Sequence, residues 1–240
     1  MKKKQNIGLD FIIDKLTNSI ENVHSGDSFP TDISLLNNVE LKKITKKNGW
    51  RFNWEHEYKI PERDVYKLTI VNNPSIIQGI VSLEVKADHV YIHLIESASF
   101  NIGSNKTYYG VPGNLVAFAC KLSFQRGGDG YVSFVPKTKL INHYIESLGA
   151  VQISGHLMVI TTNAALKLIN KYFLNYNNYN TMGLIKEALN IDFVVDSRPL
   201  TKKEELTISE FIKADKEKRA LSSKRQTKTV KSKNREKVMS

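Results

Sequence analysis

The sequence predicts an α/β (α+β) domain: a mixed, mostly antiparallel sheet flanked by helices, with a helical C-terminal extension. Three observations carry this. Between residues 65 and 100, three runs rich in Val, Ile, Leu and Tyr are separated by short turns. From Gly113 onward the apolar residues recur at three and four positions instead of two. The length, 240 residues of which 41% are hydrophobic, suits one enzyme-sized domain with an appendage.

In chain order, residues 8 to 23 place Phe11, Ile12, Leu16, Ile20 and Val23 at helical spacing, so an amphipathic first helix is expected. "TDISLLNN" reads as a short strand and "VELKKITKKNGW" as a short helix or helical turn. "WRFNWEHEY" reads as a strand. "VYKLTIVNN", "SIIQGIVSLEVK" and "HVYIHLIESASF" follow as strands joined by turns at Asn-Asn-Pro and Ala-Asp. Connections this short require an antiparallel meander, because parallel neighbours need a long crossover. Leu115, Val116, Ala119 and Leu122 then mark a helix that "RGGDG" stops. "YVSFVP" is a further strand, "KTKLINHYIESLG" a helix capped by Gly149, "HLMVITT" a strand and "NAALKLINKYFLNY" a helix. The Asn-rich 174–180 marks a boundary, followed by a short helix in "TMGLIKEALN" and an extended "IDFVVDSRPL". Thr201 and Glu204, in capping-box spacing, open the last helix. The expected organisation is a domain over 1–175, whose first 27 residues hold the N-terminal helix, a helical extension over 176–215 and a basic tail over 216–240.

The formal charge of +11 resides at the ends. Lys2, Lys3 and Lys4 supply three charges, and residues 216–240 hold ten Lys and Arg against Glu217 and Glu236, a net of eight. Residues 5–215 are therefore formally neutral, and the charge implies nothing about the folded body. "KRQTKTVKSKNREK" offers little to pack and is expected to be disordered, touching nucleic acid by weak counterion-releasing contacts at most. Cys120 is the single cysteine, so no internal disulfide and no Cys-rich zinc site can form, and a reducing cytoplasm is the expected compartment. Asp10, Asp14 and Lys15 break up the apolar run that a signal peptide would need, and no stretch approaches membrane-span length.

"YYGVPGNLVAFACKLSF" places Gly110, Pro112 and Gly113 directly before an apolar helix. Helix N-termini present unpaired N–H groups and partial positive charge, so small residues there admit a phosphate to the backbone. The same residues also describe an ordinary turn ending at a core helix, and the motif alone does not choose.

The order of elements, with these residues, resembles the GNAT-type N-acetyltransferase superfamily over roughly residues 28–173. The resemblance implies a GNAT-like acyl-CoA N-acyltransferase fold with acetyl-CoA as cosubstrate and no metal. In "TYYGVPGNL", Thr107 stands where the family has Gln or Arg, Gly110 matches the first glycine and Pro112 falls on the second small residue. It implies that the backbone of Gly110, Val111, Gly113, Asn114 and Leu115 holds the pyrophosphate, although proline removes one donor. Backbone groups of Ile95, Glu96 and Ser97 would pair with the pantetheine arm. Glu96 is the candidate base, against a solvated carboxylate, and Tyr144 the candidate acid for the departing thiolate, against a core tyrosine. Tyr144 stands five residues before Gly149 where the family has four, and Ala150 replaces an aromatic.

The expected activity is acetyl transfer to a primary amine, small-molecule or peptide, by direct attack on the thioester. The alternatives are a non-catalytic binding or regulatory module of the same fold, or an acetyltransferase directed at RNA-bound substrate through the basic tail. A homodimer is an expected assembly and a membrane is not an expected partner. His89 and His93 share a strand face but lack a third metal ligand of fixed spacing. Trp50 and Trp54 read as core, or as one wall of an acceptor pocket, and Cys120 as a buried small residue.

Overall fold

The structure, a computed structural model, describes residues 18–137, 140–173 and 195–236. The chain divides into two compact units, Met1–Pro199 and Leu200–Ser240.

The first unit is a mixed α/β fold built on a nine-stranded sheet in the order β6-β1-β2-β3-β4-β5-β7-β9-β8. Its strands are β1 Asn18–Asn22, β2 Ser28–Leu35, β3 Asp64–Ile70, β4 Asn73–Val85, β5 Val90–Ser97, β6 Tyr108–Tyr109, β7 Val132–Phe134, β8 Val151–Ser154 and β9 Leu157–Ile160. The expected meander is β3, β4 and β5, each antiparallel to the next. Asn72, at a left-handed φ of 68°, turns β3 into β4. Among the described strands, β5 and β7 form the one parallel pair, and the crossover between them holds helix α3, Val111–Gln125. The remaining helices are α1 Asn38–Leu41, α2 Trp54–Lys59, α4 Ile141–Leu148, α5 Thr162–Phe173 and α6 Lys202–Glu236.

Two cores lie on opposite faces of the sheet. On one face, α3 and α5 bury Leu68, Val81, Ile92, Ile95, Leu115 and Ile169, among others. On the other, Trp50, Trp54, Val65, Ile80 and Leu94 form a smaller cluster beneath α1 and α2. Cys120 lies wholly inside α3's packed face, where burial pushes its thiol far above the usual range.

Several expectations are corrected. Residues 18–22, expected in the first helix, form β1, which pairs with β2 on one side and β6 on the other. Pairing on both sides satisfies backbone groups that a helix would leave open on the edge of β2; the rest of that expected helix lies outside the described residues. "WRFNWEHEY" is not a strand: the Asn53 side chain accepts from the His56 N–H at 3.1 Å, capping α2, whose Trp54 and Glu57 turn inward at a spacing of three. The short strands β6 and β8 had no sequence signal of their own. Helix α6 opens with the Thr201–Glu204 capping box and runs to Glu236, through most of the stretch expected to be disordered. Lys, Arg, Ala and Gln favour helix wherever nothing opposes it. The expected elements between residues 174 and 194 lie outside the described residues.

Candidate functional site

The decisive local event is where β5 leaves β7. Their ladder consists of two pairs, Val90 with Val132 and Tyr91 with Ser133. Past it no ladder joins the two strands, and the gap this leaves in the sheet is the crevice. The register with β4 also shifts here: Leu83 faces Ile92 but Ser82 faces Leu94, leaving His93 as an extra, bulged residue. A bulge bends its strand and increases the local twist.

Backbone parity fixes what the crevice edge of β5 offers. The Ala98 N–H donates to the Gln78 carbonyl at 2.9 Å. In an antiparallel ladder alternate residues point to opposite edges, so Glu96 and Ala98 face β4 while Ile95 and Ser97 face away from it. Of the three residues expected to pair with a pantetheine arm, Ile95 and Ser97 turn their backbone groups away from β4. Glu96 does not; its backbone groups belong to the β4 ladder.

The side chain of Glu96 is fully buried under α2. One carboxylate oxygen accepts from the Arg51 backbone N–H at 2.7 Å, and the other from Trp54 Nε1 at 2.7 Å. Both oxygens being occupied, the carboxylate anchors the start of α2 to β5. Tyr144 is also fully buried, with its ring edge-on to Phe134 of β7 at 5.3 Å. Trp50 and Trp54 are core residues, and Trp54 is tied to the site through Glu96.

The glycine turn stands close by, with Val111 and Leu115 packed against Gly79, the β4 partner of Ser97, and it is closed. Gly110 takes φ 88°, the left-handed region, as the cap of α3, but every residue from Gly110 to Ala117 is buried. Asn114 Nδ2 donates to the carbonyls of Ser19 and Gly110 at 2.6 and 2.9 Å, tying the helix start to β1. A Cβ on Gly113 would stand 1.9 Å from Tyr172 Oη of α5. Tyr172 thus covers one side of Gly113 and the whole turn is buried, so Gly110, Val111, Gly113, Asn114 and Leu115 do not form an open cradle, and Pro112 has no N–H to add.

A second polar group on the face under α2 was missed as such by sequence reasoning. His93 is 1% exposed, and its Nε2 lies 2.8 Å from Glu84 Oε2. Glu84 Oε1 in turn meets Lys86 Nζ at 2.5 Å. His93 Nδ1 is buried with no hydrogen-bond partner among the described residues. Burial lowers the imidazole pKa and nearby Arg63 lowers it further, against the opposing hydrogen bond and charge of Glu84 and the charge of Glu57. Burial also disfavours the ionised Glu84 carboxylate, but hydrogen bonds from Lys86 and His93 outweigh it and lower its pKa. Arg63 and Glu57 are themselves a buried pair, with Nη1 at 2.9 and 2.8 Å from the two carboxylate oxygens. The signal available in sequence was His93 two residues past the partner of Glu84 across a hairpin, and it needs the register to be seen.

The chain's own segment after residue 194 reaches the crevice. The Val90 N–H donates to the Tyr131 carbonyl, which sets the odd-numbered carbonyls of this strand toward β5. The Val135 carbonyl, on that same side, accepts from the Asp196 N–H at 2.7 Å. Val195 bridges Pro136 and is 2% exposed. Tyr91 Oη donates to the Arg198 carbonyl at 3.1 Å, and the Tyr91 ring stands edge-on to His93 at 4.6 Å. Two cavities, of ≈ 430 Å³ beside Leu148 and Leu168 and ≈ 730 Å³ beside Ile44 and Tyr58, lie away from these residues.

No protein-family profile and no curated protein matches the chain. Among solved structures it is similar to a cAMP-binding acyltransferase from Mycobacterium smegmatis. The two share 14% identity over 70% of this chain and 61% of that one, with a TM-score of 0.36. A likeness of that extent says nothing about activity. Among the described residues, no helix is long and apolar enough to cross a membrane.

Proposed function

We propose that the chain is an acyltransferase that moves an acyl group, most simply acetyl from acetyl-CoA, to a primary amine. The observation that carries this reading is the crevice: a parallel strand pair that parts after two residues, with the backbone of Ile95 and Ser97 turned away from β4 beside a buried polar face. An extended amide-bearing arm such as pantetheine would add to that edge as a strand does. Bound there, acetyl-CoA would supply an activated thioester.

The fit is uneven along the molecule. The β5 edge suits the pantetheine arm, whereas the glycine turn does not suit the pyrophosphate while Tyr172 fills the space at Gly113. Binding energy in this reading therefore comes from the arm more than from the phosphates. Tyr144, packed on the β7 wall, keeps the role of proton donor to the departing thiolate; Glu96 serves as the anchor that shapes the face under α2.

Incubating the protein with acetyl-CoA and a lysine-containing peptide or spermidine, and following thiol release, tests the reading. Amine-dependent release supports it. Acetyl-CoA binding without release from any amine would favour a binding module of the same architecture, which the filled glycine turn also suits.

A further inference from the structure

We propose that His93, oriented by Glu84, is the proton acceptor of the crevice, taking the proton of the attacking amine. This rests on the acyl-transfer reading and supplies the base that Glu96, with both oxygens occupied, does not.

A carboxylate can only accept, so the nitrogen facing Glu84 at 2.8 Å carries the imidazole proton. That leaves Nδ1 with a lone pair. Nδ1 is buried and has no hydrogen-bond partner among the described residues, a condition that stably packed polar atoms avoid and functional ones tolerate. The charged groups around the ring are Glu84 with Lys86 from the β4 side, and the Arg63–Glu57 pair from below α2. The Tyr91 ring stands edge-on to the imidazole at 4.6 Å.

His89 provides the contrast. It too holds a carboxylate, Asp88 Oδ1 at 2.6 Å from Nδ1, and its other nitrogen has no hydrogen-bond partner among the described residues. But His89 precedes Val90, where β5 is still paired with β7. His93 is the bulged residue just past the parting point, two positions before Ile95.

The step balances simply. The amine nitrogen forms the new C–N bond, the C–S bond breaks and the sulfur leaves with its electron pair. The amine proton goes to Nδ1, the thiolate takes the Tyr144 proton, and the proton on His93 returns to the Tyr144 phenolate through solvent, leaving both residues neutral.

The experiment uses the full chain with 15N-labelled histidine, as wild type, His93→Gln, His93→Asn and Glu84→Gln. In the wild type, the ring signals should show His93 protonated at Nε2 and bare at Nδ1, and the Nδ1 signal should move when acetyl-CoA is added. Both His93 variants should bind acetyl-CoA as the wild type does, while amine-dependent thiol release falls by about 10²-fold or more. Glu84→Gln should mix the tautomers and lower turnover less. A proton on Nδ1, an Nδ1 signal indifferent to acetyl-CoA, or a His93→Gln enzyme at wild-type turnover would overturn the assignment while leaving the acyltransferase reading intact. A wild type that binds no acetyl-CoA would instead remove that reading, and the base with it.

Discussion

Glu96 shows how a buried charge is made tolerable. Its two oxygens take up the Arg51 N–H and the Trp54 indole N–H, so the group is fully hydrogen-bonded although it is 0% exposed. Replacing it by Ala strands the buried Trp54 indole N–H and the part-buried Arg51 N–H and should destabilise the fold by about 1–3 kcal/mol, measurable by urea denaturation; Glu96→Gln, which can still accept from one of them, should cost less. His93 makes a pH prediction. Its pKa is lowered from an ordinary 6.5, chiefly by burial, and that of His143 is lowered for the same leading reason. A depressed imidazole binds its proton more weakly folded than unfolded, so its stability contribution is complete above about 6.5 and is lost as pH falls through the folded value. Denaturation midpoints should drop on acidification below that point, and His93→Gln should flatten part of the slope. Glu96 was visible in sequence as a carboxylate among apolar neighbours, but its partners stand 42 and 45 residues away. Only the folded chain brings them together.

Strand β5 and the start of helix α3 carry the account at the level of elements. The meander β3–β5 and the crossover helix were legible because period and turn residues are local properties. The bulge at His93 was not, since it exists only as a mismatch between two registers. The glycine turn shows the same limit. Gly110 in the left-handed region and the helix that follows were readable, but Tyr172, which fills the space beside Gly113, lies 59 positions along the chain. Gly113→Ala should force a Cβ into the Tyr172 hydroxyl and cost about 1–3 kcal/mol. In a Tyr172→Ala background most of that cost should vanish, a coupling that a double-mutant cycle with thermal melts would read.

At the scale of the molecule, the charge distribution was readable by counting, whereas the form of the basic end was not. Residues 216–236, expected to be disordered, continue α6. With ten Lys and Arg in residues 216–240, any contact of this end with single-stranded RNA should be weak and strongly salt-dependent, and deleting residues 216–240 should abolish it. Equally invisible in sequence was the return of Val195–Arg198 to the crevice, where Asp196 holds Val135 and Tyr91 holds Arg198. A ligand entering along Ile95 and Ser97 meets this segment, so weakening its hold should favour entry. Calorimetric titration of acetyl-CoA into the wild type and into Tyr91→Phe tests this most directly. Micromolar binding to the wild type, tighter in the variant that cannot donate to the Arg198 carbonyl, is the predicted result; heat of dilution alone from both proteins would contradict an acyl-CoA crevice between β5 and β7.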